Sequence, residues 1–297
     1  MNDKVVAVID LGSNSIRMTI ARICKNGTVE ELANYRETVR ISTGLKETGE
    51  IAFPAFERTV HALQSFCKRM LSFGVEEVYA LATEALRRAN NRETFVAYVK
   101  EQTDICFQII SGEEEARYDF LGVSEGRPIQ DCILLDTGGG STEYMHIENG
   151  ALKQVVSLPL GAVVLTEGFL KTDPPTEQEL DAMHQYIQAQ LEEKAPWIYD
   201  CKGLPIFAIG GTNRAMMKLK KKKEFHPNEL QQLYDEFKSM GLEDRKNSLG
   251  EFQDRADIVI GGLSPLADLI RAISPSVVYV SEKGLRDGFL YQLAKNG

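Results

Sequence analysis

The sequence is poor in the features that tie a chain to a membrane, a disulfide scaffold or a nucleic acid. No apolar run approaches the roughly 20 residues that a membrane helix needs. The opening MNDKVVAVIDLG has neither the charged start nor the small-residue cleavage site of a signal peptide, so a cytoplasmic protein with no membrane partner is expected. Positive charge is also short: 34 Lys and Arg against 43 Asp and Glu leave a net charge of -9, which argues against a nucleic-acid partner. A locally positive cleft can still hold an anion. The five cysteines, Cys24, Cys67, Cys106, Cys132 and Cys201, are odd in number, widely spaced and without a C-x-x-C pair, and are expected as reduced core residues. His61, His146, His184 and His226 show no metal-ligand spacing. With 24 Gly and 10 Pro there is no collagen or low-complexity signature, and 43% hydrophobic with 26% charged residues is ordinary for a folded protein. At 297 residues, two domains are expected.

What is present is an internal repeat. VIDLGSNS, ending at Ser15, lies over LLDTGGGS, ending at Ser141, and superimposes Asp10, Gly12 and Ser15 on Asp136, Gly138 and Ser141. Each copy is an apolar run ending in Asp, a Gly-rich turn, and a strand-like segment that closes on an Asn-Gly turn signal, Asn26-Gly27 or Asn149-Gly150. This predicts a duplicated β-hairpin and two similar α/β domains. Between the copies, Phe56, Val60, Leu63, Cys67 and Met70 recur at helical spacing up to Gly74, and VYALAT then reads as a buried strand. A helix over 91–103 and a strand at ICFQII continue the alternation, which means a sheet with crossover helices. Thr176 and Glu179 form a capping box for a helix running towards Trp197. LPIFAIGGT, VVYVS and EKGLRDGFLYQLAKNG predict a strand running into a Gly turn, a last strand and a closing helix.

A strand ending in Asp-x-Gly and followed by small residues lets backbone N–H groups converge on a phosphate. Two such loops suggest facing turns on one phosphate chain, with Asp10 and Asp136 orienting Mg²⁺ or water, and Gly210-Gly211-Thr212 offers a third set of N–H groups. The plain alternative is that all three are only tight turns. Glu113-Glu114-Glu115 reads either as catalytic or as an acid-rich helix start favoured by the dipole. Lys218 and Lys220–Lys223 form the one concentrated basic segment, a solvated helix end or a polyanion contact.

Taken in order, DLGSNS, TEALR, SGEEEAR, DTGGGSTE, GGTNRA and SEKGLRDG resemble the exopolyphosphatase and guanosine pentaphosphate phosphatase family over essentially the whole chain. The resemblance implies an α/β fold of two actin-like (ribonuclease H-like) domains of the sugar kinase, heat-shock chaperone and actin superfamily. They are expected over 1–123 with 284–297, and over 124–283, with the active cleft between them. It makes Glu115 the catalytic glutamate, with Glu114 the adjacent alternative, and assigns Asp136 and Glu143, joined by Asp10, to metal and lytic water. The phosphate-binding elements fall on Gly12, Ser13, Asn14, Ser15, Arg87, Gly138, Gly139, Gly140 and Ser141. The implied activity is Mg²⁺- (or Mn²⁺-) dependent hydrolysis of terminal phosphate from inorganic polyphosphate first and guanosine pentaphosphate second. A kinase or ATPase of the same fold and a non-catalytic sensor of these nucleotides are the other readings, and a homodimer is left open. Thr137 stands where the family has an aliphatic residue. The chain also stops where longer members add a helical region resembling an HD-type phosphohydrolase domain, which bears on processivity.

Overall fold

The computed structural model describes residues 3–125 and 127–296. The chain divides into two compact units, Met1–Gly126 with Lys283–Gly297, and Arg127–Glu282.

The first unit is built on a five-stranded sheet in the order β3-β2-β1-β4-β5. β1 (Lys4–Leu11), β2 (Ser15–Ile23) and β3 (Val29–Thr38) form an antiparallel meander, and β4 (Glu77–Ala82) and β5 (Phe107–Ile109) add in parallel beyond β1. β1 is buried on both faces, which is why it reads as a continuous apolar run. Ala7, Ile9 and Leu11 pack in a core with Phe56, Leu63 and Phe66, whereas Val6 and Val8 pack with Leu285 and Phe289. Between β3 and β5 come α1 (Leu45–Thr48), α2 (Phe53–Phe73), α3 (Glu84–Arg88) and α4 (Arg92–Thr103). α2 stops at Gly74, whose φ of 63° is the left-handed cap that glycine adopts without penalty. α5 (Gly112–Ser124) follows β5.

The second unit repeats the plan. Its sheet order β10-β11-β9-β6-β7-β8 contains the same meander and the same two parallel additions, with β10 as an extra edge. β6 (Cys132–Thr137), β7 (Thr142–Glu148) and β8 (Ala151–Leu158) are antiparallel, and β9 (Ile206–Gly210) and β11 (Val278–Val280) run parallel to β6. α6 (Ala162–Phe169) and α7 (Glu177–Lys194) lead into β9, then α8 (Gly211–Lys220), β10 (Glu224–Phe225), α9 (Pro227–Ser239), α10 (Leu242–Leu249) and α11 (Val259–Ile273) precede β11. The chain then returns to the first unit as α12 (Leu285–Asn296), which crosses α5 so closely that a Cβ on Gly288 would lie 1.8 Å from Tyr118 O. Both units thus carry the actin-like strand order. Among the described residues no helix is long and apolar enough to cross a membrane.

Some expectations need correction. Asn149-Gly150 is the two-residue turn, with φ of 53° and 75°, but Asn26-Gly27 sits in a longer connection closed by Cys24 N–H donating to Thr28 O. The strand at ICFQII shortens to three residues, and α7 ends at Lys194 because Pro196 starts a separate 3₁₀ turn. Cys106 is exposed rather than in the core; Cys24 and Cys67 are half-buried, and Cys132 and Cys201 are buried. Burial first, then the neighbouring Asp131 charge, pushes the Cys132 thiol up to about 12, so it is not a nucleophile at neutral pH. α9 to α11 carried no reading from the sequence. α11 is buried almost throughout and belongs to the core of the second unit.

Candidate functional site

The first loop is built by the meander. Gly12 N–H donates to Ser15 O at 3.1 Å and closes the turn between β1 and β2. The carbonyls of Ser13 and Asn14 are turned inward and are taken up by the segment after β3: Val39 and Arg40 N–H donate to Asn14 O, and Ser42 N–H to Ser13 O. With its carbonyls tied down, the loop leaves the N–H groups of Ser13 and Asn14 without a backbone acceptor among the described residues. Ser13 Oγ and Asn14 Nδ2 are buried there and likewise have no hydrogen-bond partner. Burying such groups unsatisfied costs about 1–3 kcal/mol each, which an anion accepting from them would offset.

The second loop does the same with different residues. Gly138 N–H donates to Ser141 O at 3.0 Å, while Ala162 and Val163 N–H, at the start of α6, donate to Gly138 O and Gly139 O at 2.9 Å each. A Cβ on Gly161 would come within 2.4 Å of Gly139 and Gly140, so the loop and the helix start meet through bare backbone. Again the N–H groups of Gly139 and Gly140 have no backbone acceptor among the described residues. The third turn abuts this loop: Gly210 pairs with Thr137, has a φ of 105°, and a Cβ on it would lie 2.3 Å from Thr137 O and 3.1 Å from Asp136 Oδ1. Thr212 and Asn213 are buried in the first turn of α8, and the buried Thr137 Oγ1 and Asn213 Oδ1 lack hydrogen-bond partners among the described residues. Arg255, 7% exposed, lays its guanidinium against Gly211. No motif pointed to Arg255, since a single Arg in FQDRADI carries no periodicity or turn signal.

Asp136 and Glu143 face each other in register across β6 and β7, and Ser157 Oγ donates to Glu143 Oε1 at 2.6 Å. Glu143 is 1% exposed, so this is a carboxylate pair set deep in the unit. Among the described residues no three His, Cys, Asp or Glu side chains gather into a complete metal cage. Two carboxylates do fit the way Mg²⁺ is usually held, with water and phosphate oxygens filling the rest. Tyr144 beside them is held neutral, its phenol raised well above the ordinary range by full burial and then by the charges of Asp268 and Glu143.

The acidic run separates into distinct roles. Glu114 closes the capping box of α5, accepting from Ser111 N–H at 2.8 Å while Ser111 Oγ accepts from Glu114 N–H at 3.1 Å. Glu115, one residue on and so turned about 100° around the helix, is buried and accepts from Arg87 Nη1 at 3.0 Å. Arg87 also donates to Ile110 O at 2.7 Å and pairs with Glu84 at 3.0 Å. These contacts are to protein groups, and they hold the Glu115 carboxylate in place. In the lysine run, Lys222 pairs with Glu229 and Lys223 with Glu282, each at 2.5 Å, and Lys221 caps α8 with a φ of 53°. The Lys223 contact holds the Glu282 carboxyl below its usual range.

Each of the two actin-like units closes a tight turn at the end of its first strand and leaves two N–H groups of that turn without a backbone acceptor among the described residues. Residues 19–297 match the Ppx/GppA phosphatase family, and the chain belongs to it. Exopolyphosphatase 1 of Mycobacterium bovis is 28% identical over 96% of this chain and 87% of its own length. The crystal structure of the Aquifex aeolicus member of the Ppx/GppA family is 31% identical, covers 99% of this chain and 98% of its own, and superimposes with a TM-score of 0.80. An exopolyphosphatase structure from Cytophaga hutchinsonii, 23% identical over 99% of this chain and 98% of its own, has a TM-score of 0.91 and bears on the fold alone.

Proposed function

We propose that this phosphatase hydrolyses the terminal phosphoanhydride of inorganic polyphosphate, with Mg²⁺ (or Mn²⁺) as cofactor and Glu115 as the general base. The observation that carries the reading is the pairing of buried Glu115 on α5 with Arg87 on α3, set apart from the capping Glu114. Phosphoryl transfer to water needs donors along the phosphate oxygens, a positioned water and a proton acceptor, and no covalent intermediate. Loops 12–15 and 138–141 each supply outward N–H groups suited to phosphate oxygens. Glu115 takes the proton of the attacking water, and Arg87 fixes its orientation. Asp136 and Glu143 would hold Mg²⁺, which when bound neutralises charge on the phosphate oxygens. The exopolyphosphatase name of the Mycobacterium bovis relative favours the polymer over guanosine pentaphosphate.

The test is phosphate release measured side by side from long polyphosphate, tripolyphosphate, guanosine pentaphosphate and ATP, with Mg²⁺ and with a chelator. Release from polyphosphate that the chelator abolishes is expected. Turnover of ATP alone would favour a kinase or ATPase, preference for guanosine pentaphosphate would move the substrate to the nucleotide, and binding without release would make the protein a sensor.

A further inference from the structure

Arg87 meets groups from three places in the first unit. Its Nη1 donates to Ile110 O at 2.7 Å and to Glu115 Oε2 at 3.0 Å, while its Nε donates to Glu84 Oε2 at 3.1 Å and its Nη2 lies 3.0 Å from the same oxygen. Glu84 therefore takes the Nε–Nη2 edge of the guanidinium. Nη1 is the corner turned to Ile110, at the exit of β5, and to Glu115 on α5. The fork is planar and rigid, so anchoring one edge of it fixes the direction of the rest.

The plain account of Glu84 is a pair three residues apart that steadies a five-residue helix. Two observations weigh against it. The backbone of α3 is pinned without that pair: Thr83 N–H donates to Leu11 O at 3.3 Å before its start, and beyond its end Asn90 N–H donates to Gly49 O at 2.8 Å. The Asn91 side chain then bonds both the N–H and the carbonyl of Ile51 at 2.9 Å, and Ala85 and Leu86 sit in the core. Nor is the pair a solvated one. The side chains of Glu84 and Arg87 are 16% and 18% exposed, whereas Arg88, 39% exposed, stays 3.9 Å from Glu84. A carboxylate withdrawn from water needs hydrogen bonds in return, and Arg87 supplies them. We infer that Glu84 is a positioning residue for the hydrolytic step: it fixes the Arg87 fork so that Nη1 holds the Glu115 carboxylate where it accepts the proton of the attacking water. The inference rests on the reading of Glu115 as the base. Acting through Arg87, Glu84 bears on turnover rather than on affinity for the substrate.

The test is steady-state phosphate release from long-chain polyphosphate and from guanosine pentaphosphate by the full chain carrying Glu84→Ala, Glu84→Gln, Arg87→Gln, or Glu84→Ala with Arg87→Gln. The melting temperature of each variant is measured beside it. Glu84→Ala is expected to lower kcat by about 10- to 100-fold, the cost of a slightly misplaced reacting group, with KM within about twofold of wild type. Glu84→Gln should recover part of that loss, because its amide oxygen still accepts from Nε but without the charge. Once Arg87 is Gln, adding Glu84→Ala should change kcat by no more than about twofold, since the group it orients is gone. The melting temperature of Glu84→Gln should stay close to wild type, so this variant carries the test even if Glu84→Ala unfolds. Wild-type kcat in both Glu84 variants would overturn the proposal. So would full additivity in the double variant, a rise in KM in place of the fall in kcat, or a loss of turnover that follows a lowered melting temperature in both Glu84 variants. A wild-type chain that releases no phosphate would remove the hydrolase reading and this proposal together, whereas undiminished turnover in the Glu84 variants of an active enzyme would remove this proposal alone.

Discussion

The two sheets are copies of one backbone device that carry different side chains at corresponding positions. In each, a strand ends in Asp, a turn closes with an N–H-to-carbonyl bond three residues on, and the loop carbonyls are consumed by the segment after the third strand. Loop geometry is thus a property of the duplicated backbone. The row beneath it is not: Asp10, Arg17 and Arg36 in one unit correspond to Asp136, Glu143 and Ser157 in the other. Duplication doubled the scaffold, and the side chains on it then diverged.

The largest effect expected is at Glu115. Glu115→Gln keeps size and hydrogen bonding but removes the proton acceptor, and turnover should fall by about 10²- to 10⁴-fold with little change in KM. Glu114→Gln, which touches only the cap of α5, should leave turnover near normal and lower stability by no more than about 1–2 kcal/mol. Steady-state kinetics on both variants decides it, and collapse in Glu114→Gln alone would reverse the two roles.

A smaller effect should separate the rows. Glu143→Gln removes one charge of the carboxylate pair and should raise the Mg²⁺ concentration for half-maximal activity by about 10- to 100-fold, the range typical of altered metal-site groups. A titration of activity against Mg²⁺ reads this directly. If the Mg²⁺ requirement does not move, the second row is not the cation side and the comparison between the units fails.

The smallest effect is on stability against pH and belongs to the second unit alone. The Glu179 carboxyl is held down at about 2, first by the Thr172 hydroxyl and then by the Thr176 N–H, against an ordinary value near 4.5. A lowered folded value means the contribution is present above about pH 4.5 and is lost as pH falls towards 2. Glu179 is fully exposed to solvent screening, so the change should be slight. Denaturant midpoints at pH 7 and pH 3 should converge more in Glu179→Gln than in wild type, and an identical pH response in both would dismiss the contribution.

The sequence by itself determined what depends on local pattern. VIDLGSNS over LLDTGGGS disclosed the duplication because a strand, an Asp and a glycine turn are each written in consecutive residues. Thr176 and Glu179 disclosed a cap, and Gly74 a helix end, for the same reason. Residues 224–276 carry no phosphate-loop motif, and the near-complete burial of α11 within them is set by packing. Only the tertiary structure decided the roles of side chains that meet from far apart. Glu114 and Glu115 are equivalent in a string of three acids, and it is Arg87, 28 positions away, that distinguishes them. Arg255 reaches Gly211 across 44 positions, and Arg36 meets Arg17 only through the register of two strands. Such pairings are set by how the strands align and where the helices pack, and one-dimensional spacing holds no record of either.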